Sequence, residues 1–166
     1  MRILILSDSH GIDINVKRAI DIEKPDMLIH CGDSEGSEAT IEKLAGAPKI
    51  PCVFVKGNCD WGSTYPTTRI FKLHGHNFLI THGHMQRIHS SENCLMLKYL
   101  AQENGCDIVC FGHIHVPVDE EEDGVRILNP GSISRPRGGK RKTYMIMEME
   151  EDGRYTVERK FLKEQD

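Results

Sequence analysis

Five times before residue 116 a short apolar run breaks into a turn made of glycine and side chains able to hold a metal ion. Arg2-Ile3-Leu4-Ile5-Leu6 ends in Ser7-Asp8-Ser9-His10-Gly11, and Met27-Leu28-Ile29-His30 ends in Cys31-Gly32-Asp33. Pro51-Cys52-Val53-Phe54-Val55 leads to Gly57-Asn58-Cys59-Asp60. Asn77 to Thr81 leads to His82-Gly83-His84, and Asp107 to Phe111 leads to Gly112-His113-Ile114-His115. Apolar runs of this length read as buried strands. In open α/β sheets the loops leaving the carboxyl ends of strands collect ligands, so the pattern requires a fold that brings five strand ends to one edge.

The segments between the runs indicate how the strands connect. Ile12, Val16, Ala19 and Ile20 keep helical spacing until Pro25, and Ile41, Leu44 and Ala45 suggest a second helix ending at Gly46. The start is therefore βαβ in character. Arg69 to Leu73 and Asn77 to Thr81, joined by His74-Gly75-His76, form a hairpin instead, so the sheets must be mixed. A helix is expected over Glu92 to Asn104. Beyond it, Val116 to Val118 and Val125 to Leu128 flank an acidic turn at Glu120 to Gly124, then Asn129-Pro130-Gly131-Ser132 turns, and Thr143 to Met149 and Tyr155 to Leu162 alternate like antiparallel strands.

Composition narrows the function classes. With 166 residues and no linker-like stretch, one domain over 1–166 is expected. Net charge is −4, which argues against a general polyanion binder and against stable nucleic-acid binding. The basic run Arg135, Arg137, Lys140, Arg141 and Lys142 lacks interleaved aromatics and reads as a solvated loop or a rim attracting phosphate. The apolar opening is too short for a signal peptide, no stretch could span a membrane, and a cytoplasmic location is expected. The six cysteines lack zinc-type pairing and read as reduced thiols. Among the nine histidines, His30 reads as a core or supporting residue, His74 and His76 as turn residues, and His89 as surface.

Collected, the strand-end residues are Asp8, His10, Asp33, Asn58, His82, His113 and His115, a set with oxygen and imidazole donors and no thiolate. Such donors suit two adjacent divalent ions of intermediate hardness, manganese or iron, with zinc or nickel as alternatives. An ionised aspartate can serve two ions at once.

The ordered motifs DSH, GD, GNCD, THGH and GHIH resemble those of the calcineurin-like metallophosphoesterase superfamily, and most closely its small single-domain YfcE-like phosphodiesterase branch. The resemblance spans roughly residues 1–132. It implies an α/β (α+β) fold, a four-layer αββα sandwich of two mixed sheets with helices outside. It also implies that Asp8, His10 and His115 hold one ion, that Asn58, His82 and His113 hold the other, and that Asp33 bridges them. A hydroxide held between the ions would attack a phosphoester in line. Two ions, two aspartates and one hydroxide leave a single positive charge, which matches a small phosphodiester better than a monoester. The basic residues from Arg135 to Lys142 could offset a second negative charge.

One position departs from the family pattern. Where many members have a histidine after the motif asparagine, this chain has Cys59 followed by Asp60, and a thiol is a poorer general acid near neutrality. Asp60 or His84 is therefore expected to give partial assistance. Two other readings share the motifs: a phosphomonoesterase, and a non-catalytic scaffold like the retromer-type members of this branch. The scaffold reading predicts missing ligands, whereas all seven positions here are filled. The hairpin from Arg69 to Thr81 could pair two copies in a homo-oligomer.

Overall fold

The strand runs alternate apolar side chains to both faces, and this dictates layers on either side of each sheet. A computed structural model describes residues 1–163; the last three positions of the expected domain lie outside the described residues. The elements are β1 (Arg2–Leu6), α1 (Asp13–Glu23), β2 (Met27–His30), α2 (Glu38–Ala45), β3 (Cys52–Phe54), β4 (Thr68–Leu73), β5 (His76–Thr81), α3 (Met96–Glu103), β6 (Ile108–Cys110), β7 (Pro117–Glu122), β8 (Val125–Pro130), β9 (Thr143–Met149) and β10 (Tyr155–Phe161). They form two mixed five-stranded sheets, ordered β10-β9-β1-β2-β3 and β4-β5-β6-β8-β7.

In β1, Ile3 and Ile5 face the second sheet and meet Phe78, Ile80, Ile108, Cys110 and Leu128. Leu4 and Leu6 point the other way, onto Val16, Ala19 and Ile20 of α1 and Ile41 of α2. On the far side, Leu97 and Ala101 of α3 cover Leu79, Val109 and Ile127. The order is therefore helix, sheet, sheet, helix. Each fully buried leucine or isoleucine contributes roughly 1.5–3 kcal/mol, so the paired faces hold the sheets together.

β1, β2 and β3 run parallel in the first sheet, as do β5, β6 and β8 in the second. Their carboxyl ends consequently share one edge of the sandwich. α1 ends where Lys24 turns left-handed (φ 46°) just before Pro25, whose ring disfavours helix in the preceding residue. β4 and β5 form the antiparallel hairpin expected from the sequence.

Two local expectations are corrected. The helix expected over Glu92 to Asn104 is divided: a 3₁₀ turn, Ser91–Asn93, carries a reciprocal Ser90/Asn93 cap, and α3 starts only at Met96. The acidic turn is also shorter, because β7 continues to Glu122 and only Asp123-Gly124 reverse the chain. Its carboxylates are held by cations: Asp119 and Glu121 by Arg126, and Glu122 and Asp123 by Lys98. Among the described residues no helix is long and apolar enough to cross a membrane.

Candidate metal centre

All seven strand-end residues arrive at the shared edge, and five of them leave strand geometry at the ligand itself. Asp8 (φ 55°), His10 (48°), Asp33 (56°), His113 (70°) and His115 (59°) are all left-handed. Aspartate and histidine tolerate this conformation better than most residues, yet it costs on the order of 1–3 kcal/mol each. Such a concentration of strain is held in place by its surroundings.

Three imidazoles are oriented alike. His10 Nδ1–H donates to Glu35 Oε1 (2.6 Å), His82 Nδ1–H to the Cys31 carbonyl (2.7 Å) and His115 Nδ1–H to the Arg135 carbonyl (2.5 Å). With Nδ1 committed as donor, each neutral ring presents its Nε2 lone pair. These lone pairs converge. His10 Nε2 lies 3.3 Å from His115 Nε2, and His82 Nε2 lies 3.3 Å from Asp33 Oδ2 and 3.2 Å from Asn58 Oδ1.

Asp8 Oδ1 sits among them, 3.1 Å from His115 Nε2 and 4.0 Å from both His10 and His82. It is fully buried and accepts no well-aligned hydrogen bond. A buried carboxylate oxygen facing imidazole lone pairs is costly unless a cation joins them. The donor atoms thus fit divalent ions. Of the three groups among the described residues that could hold an ion, one joins His10 with Glu35 and Cys59, and the other two are Asp8 with His10 and His115, and Asp8 with Asp33 and His82. Asp8 is the carboxylate common to these last two. His113 stands just outside, its ring 5.1 Å from that of His82, and its main-chain N–H donates to Asp8 Oδ2.

Charges follow the geometry. Burial would raise the Asp8 and Asp33 carboxyls, but His115 and His82 beside them hold both below the usual range. Burial would likewise lower His82 and His115, and the facing carboxylates raise both above the ordinary histidine value. His113, with no such partner and with His82 nearby, is pushed down to about 4 by burial. A metal ion entering the site would displace to solvent the protons that the carboxylates draw onto these rings.

Asp60 is not placed to act on a substrate. It is 2% exposed, and its carboxylate accepts the main-chain N–H groups of Asp33 (2.8 Å), Gly57 (2.7 Å) and Glu35 (2.7 Å), with Ser34 Oγ at 3.3 Å. Four contacts occupy its two oxygens and join the Asp33 and Asn58 loops, an arrangement that favours support over the proton donation expected from the sequence. His84 is half-buried beside His82, burial lowers its pKa, and its Nδ1 lacks a partner. Cys59 opens onto the site, where its sulfur accepts from Asn58 Nδ2 (3.2 Å) and so directs Asn58 Oδ1 toward His82. Burial and the nearby Asp33 push the Cys59 thiol up to about 12.

Close approach explains one glycine in each half of the site. A Cβ on Gly57 would stand 2.1 Å from Asp33 Oδ1, and one on Gly112 would stand 2.0 Å from Ser7 Oγ. The Asn129 to Ser132 segment, expected as a turn, instead begins with the last two residues of β8 and serves as a support: Asn129 Nδ2 donates to the Gly112 carbonyl and Ser132 Oγ to the Asp8 carbonyl, both at 2.8 Å. His30 is buried, with Nδ1 accepting from Gly32 N–H and Nε2–H donating to Ser9 Oγ. Glu35 escaped the sequence reading; its only signal is its place two residues after Asp33. The open cavity above the ligands measures about 440 Å³, with Arg135 and Arg137 on one wall and Cys59 on the other.

Residues 1–152 match the model of the calcineurin-like phosphoesterase superfamily domain, and the chain belongs to that superfamily. It is 36% identical over 154 residues to the probable metallophosphoesterase YsnB of Bacillus subtilis, covering 92% of this chain and 86% of YsnB. Against the phosphodiesterase YfcE of Escherichia coli K12 the identity is 25%, over 89% of this chain and 88% of YfcE. A solved structure of a predicted phosphoesterase from Streptococcus pneumoniae superposes with a TM-score of 0.79 at 34% identity, covering 95% and 87% of the two chains. The fold is also that of Vps29 from Entamoeba histolytica, with a TM-score of 0.74, 22% identity and coverage of 98% and 100%.

Proposed function

We propose that this metallophosphoesterase is a phosphodiesterase that binds two divalent ions, manganese foremost, with iron, nickel or zinc as alternatives, and hydrolyses a small diester. The convergence of the Nε2 atoms of His10, His82 and His115 around Asp8 Oδ1 carries this reading. His10, His115 and Asp8 would hold one ion. His82, Asn58 and His113 would hold the other, with Asp33 or Asp8 shared between them. Two such ions lower the pKa of a water between them and clamp the attacking and leaving oxygens of an in-line phosphoryl displacement.

The chain's own residues do the rest. Arg135 and Arg137 border the cavity where the phosphoryl oxygens would lie, and can orient them by charge-assisted hydrogen bonds. Cys59 keeps its proton and offers little acid assistance, so diesters with good leaving groups are favoured. His84 is the remaining candidate for moving a proton at the Asn58 side. The cysteines are unpaired, which supports a reducing, cytoplasmic setting. β4 forms one edge of its sheet with Ile70 half exposed, which supports pairing between copies. The scaffold reading shares the fold but gives no reason for a complete ligand set with its supporting hydrogen bonds.

The test is turnover of bis-p-nitrophenyl phosphate against p-nitrophenyl phosphate, with and without added manganese. Metal-dependent turnover favouring the diester is expected, and Asp33→Asn should abolish it. Equal rates without metal sink the two-ion account; a preference for the monoester sinks the diesterase reading. Partner capture without turnover under any divalent ion supports the scaffold.

A further inference from the structure

A second cavity of about 300 Å³ adjoins the metal site, and the two share His115, Pro136 and Arg137 on their walls. Its lining is strongly cationic: Arg137, Lys140, Arg141 and Arg159 face it in a chain whose net charge is −4. Some basic residues elsewhere on the surface are held by carboxylates, as Arg126 is by Asp119 and Arg154 by Glu150. Among the described residues, no ion pair involves Arg135, Arg137, Lys140, Arg141 or Arg159. Unneutralised like charges crowded around a concavity repel one another and favour an anion there.

The loop is also anchored. The Arg135 carbonyl accepts from His115 Nδ1, and Arg137 N–H donates to the His115 carbonyl at 3.0 Å, so the backbone that presents the cations is fixed to a candidate metal ligand. The aromatic that the basic run lacks arrives from β10. Arg141 lies 3.6 Å over the ring of Phe161, and Arg159 approaches the same ring at 5.3 Å. Stacking occupies the face of the Arg141 guanidinium and leaves its edge N–H groups available as a preset fork for phosphate.

We infer that this trough is a subsite for a second phosphate, and that the preferred ligand is a small phosphodiester bearing a terminal phosphomonoester on one arm. The inference rests on the diesterase reading for the scissile group alone. The trough's charge stands independently of it. The diester would lie over His10 and His115, and its phosphorylated arm would cross Arg137 to reach Lys140, Arg141 and Arg159.

The experiment compares the p-nitrophenyl ester of thymidine 5′-phosphate with the same ester carrying a 3′-phosphate, using manganese-loaded protein. Charge-assisted recognition should give the phosphorylated ester a specificity constant about tenfold higher, mainly through KM. The double variant Lys140→Ala/Arg141→Ala should bring that ratio to about one, while Arg154→Ala, an exposed cation outside the trough, should preserve it. A wild-type ratio of one, or a ratio unchanged in the double variant, overturns the subsite. Calorimetric titration with thymidine 3′,5′-bisphosphate and thymidine 5′-monophosphate reads the same preference without turnover. If the bisphosphate binds preferentially but neither ester is cleaved, the subsite stands and the diesterase reading falls. If a single-stranded thymidine oligonucleotide binds far more tightly than the bisphosphate through the same residues, the trough is a nucleic-acid groove and the small-ligand class is wrong.

Discussion

Asp60 accepts the main-chain N–H of Asp33 at 2.8 Å, so the conformation of a candidate metal ligand is set by a carboxylate that never meets the metal cavity. The same side chain takes the Gly57 and Glu35 N–H groups, which ties the loop after β2 to the loop after β3. Asp60→Ala would leave buried donors unpaired at about 1–3 kcal/mol each. The expected outcome is a lower Tm together with weaker manganese binding, by about 10- to 100-fold for a residue that supports a ligand. Unchanged manganese affinity in calorimetry would show that the Asp33 loop holds its shape unaided.

Asp8 and Asp33 should differ in how many ions depend on them. Asp8 belongs to two of the donor groups, whereas Asp33 belongs to one. If these groups persist with ions bound, Asp8→Asn loses both, and Asp33→Asn retains one with weakened affinity for the other. Metal analysis after dialysis against limiting manganese counts them directly. The reverse stoichiometry would identify Asp33 as the sole bridge.

Cys59→His should add acid assistance at the cavity wall. A thiol held at about 12 by burial and by Asp33 is a weak donor near neutrality, and an effective general acid contributes about 10²- to 10⁴-fold. The gain should appear on a diester with an alkyl leaving group and be small for bis-p-nitrophenyl phosphate, whose leaving group needs no proton. An equal change on both substrates would indicate that the substitution acts through Asn58, whose amide the sulfur now orients.

His76 should make stability fall as pH rises. Its Nδ1 lies 2.5 Å from Asp107 Oδ2 and its Nε2 lies 2.8 Å from the Gly153 carbonyl, so both acceptors are satisfied only by the imidazolium. Burial alone would lower its pKa, but these acceptors raise it above the ordinary value. A group raised on folding contributes stability fully below its unfolded pKa of about 6.5 and loses it as pH climbs through the folded value. Urea midpoints of the wild type and His76→Gln should therefore be furthest apart below that pH and should converge on the alkaline side. A constant separation would mean that His76 acts by packing against Tyr155.

Much of this was legible because burial leaves a simple trace. Ile3 and Ile5 on one face and Leu4 and Leu6 on the other can only be a strand covered twice, and the polar break after Leu6 marks the edge where a site can form. What escaped depends on partners remote in sequence. Asp60 reads as an acid beside a motif, and only the return of the Asp33 loop reveals two of its three main-chain donors. Glu35 has no periodicity to announce it. His76 reads as a turn residue because its partners are remote in sequence: Asp107 just before β6 and Gly153 in the turn between β9 and β10. The break before α3 falls at Ser91-Glu92-Asn93, a polar stretch with no apolar residue whose spacing could separate a 3₁₀ turn from the start of a helix.

The left-handed backbone at Asp8, His10, Asp33, His113 and His115 sets selection for stability against selection for chemistry at the same codons. Glycine would relax each position by roughly 1 kcal/mol or more and remove its ligand. A lineage that kept this fold but no longer needed the ions would gain stability by drifting toward glycine or asparagine at those positions, with its packed strands untouched. The wear would begin at the strand ends, so the history of such a descendant could be read from which turns had eroded first.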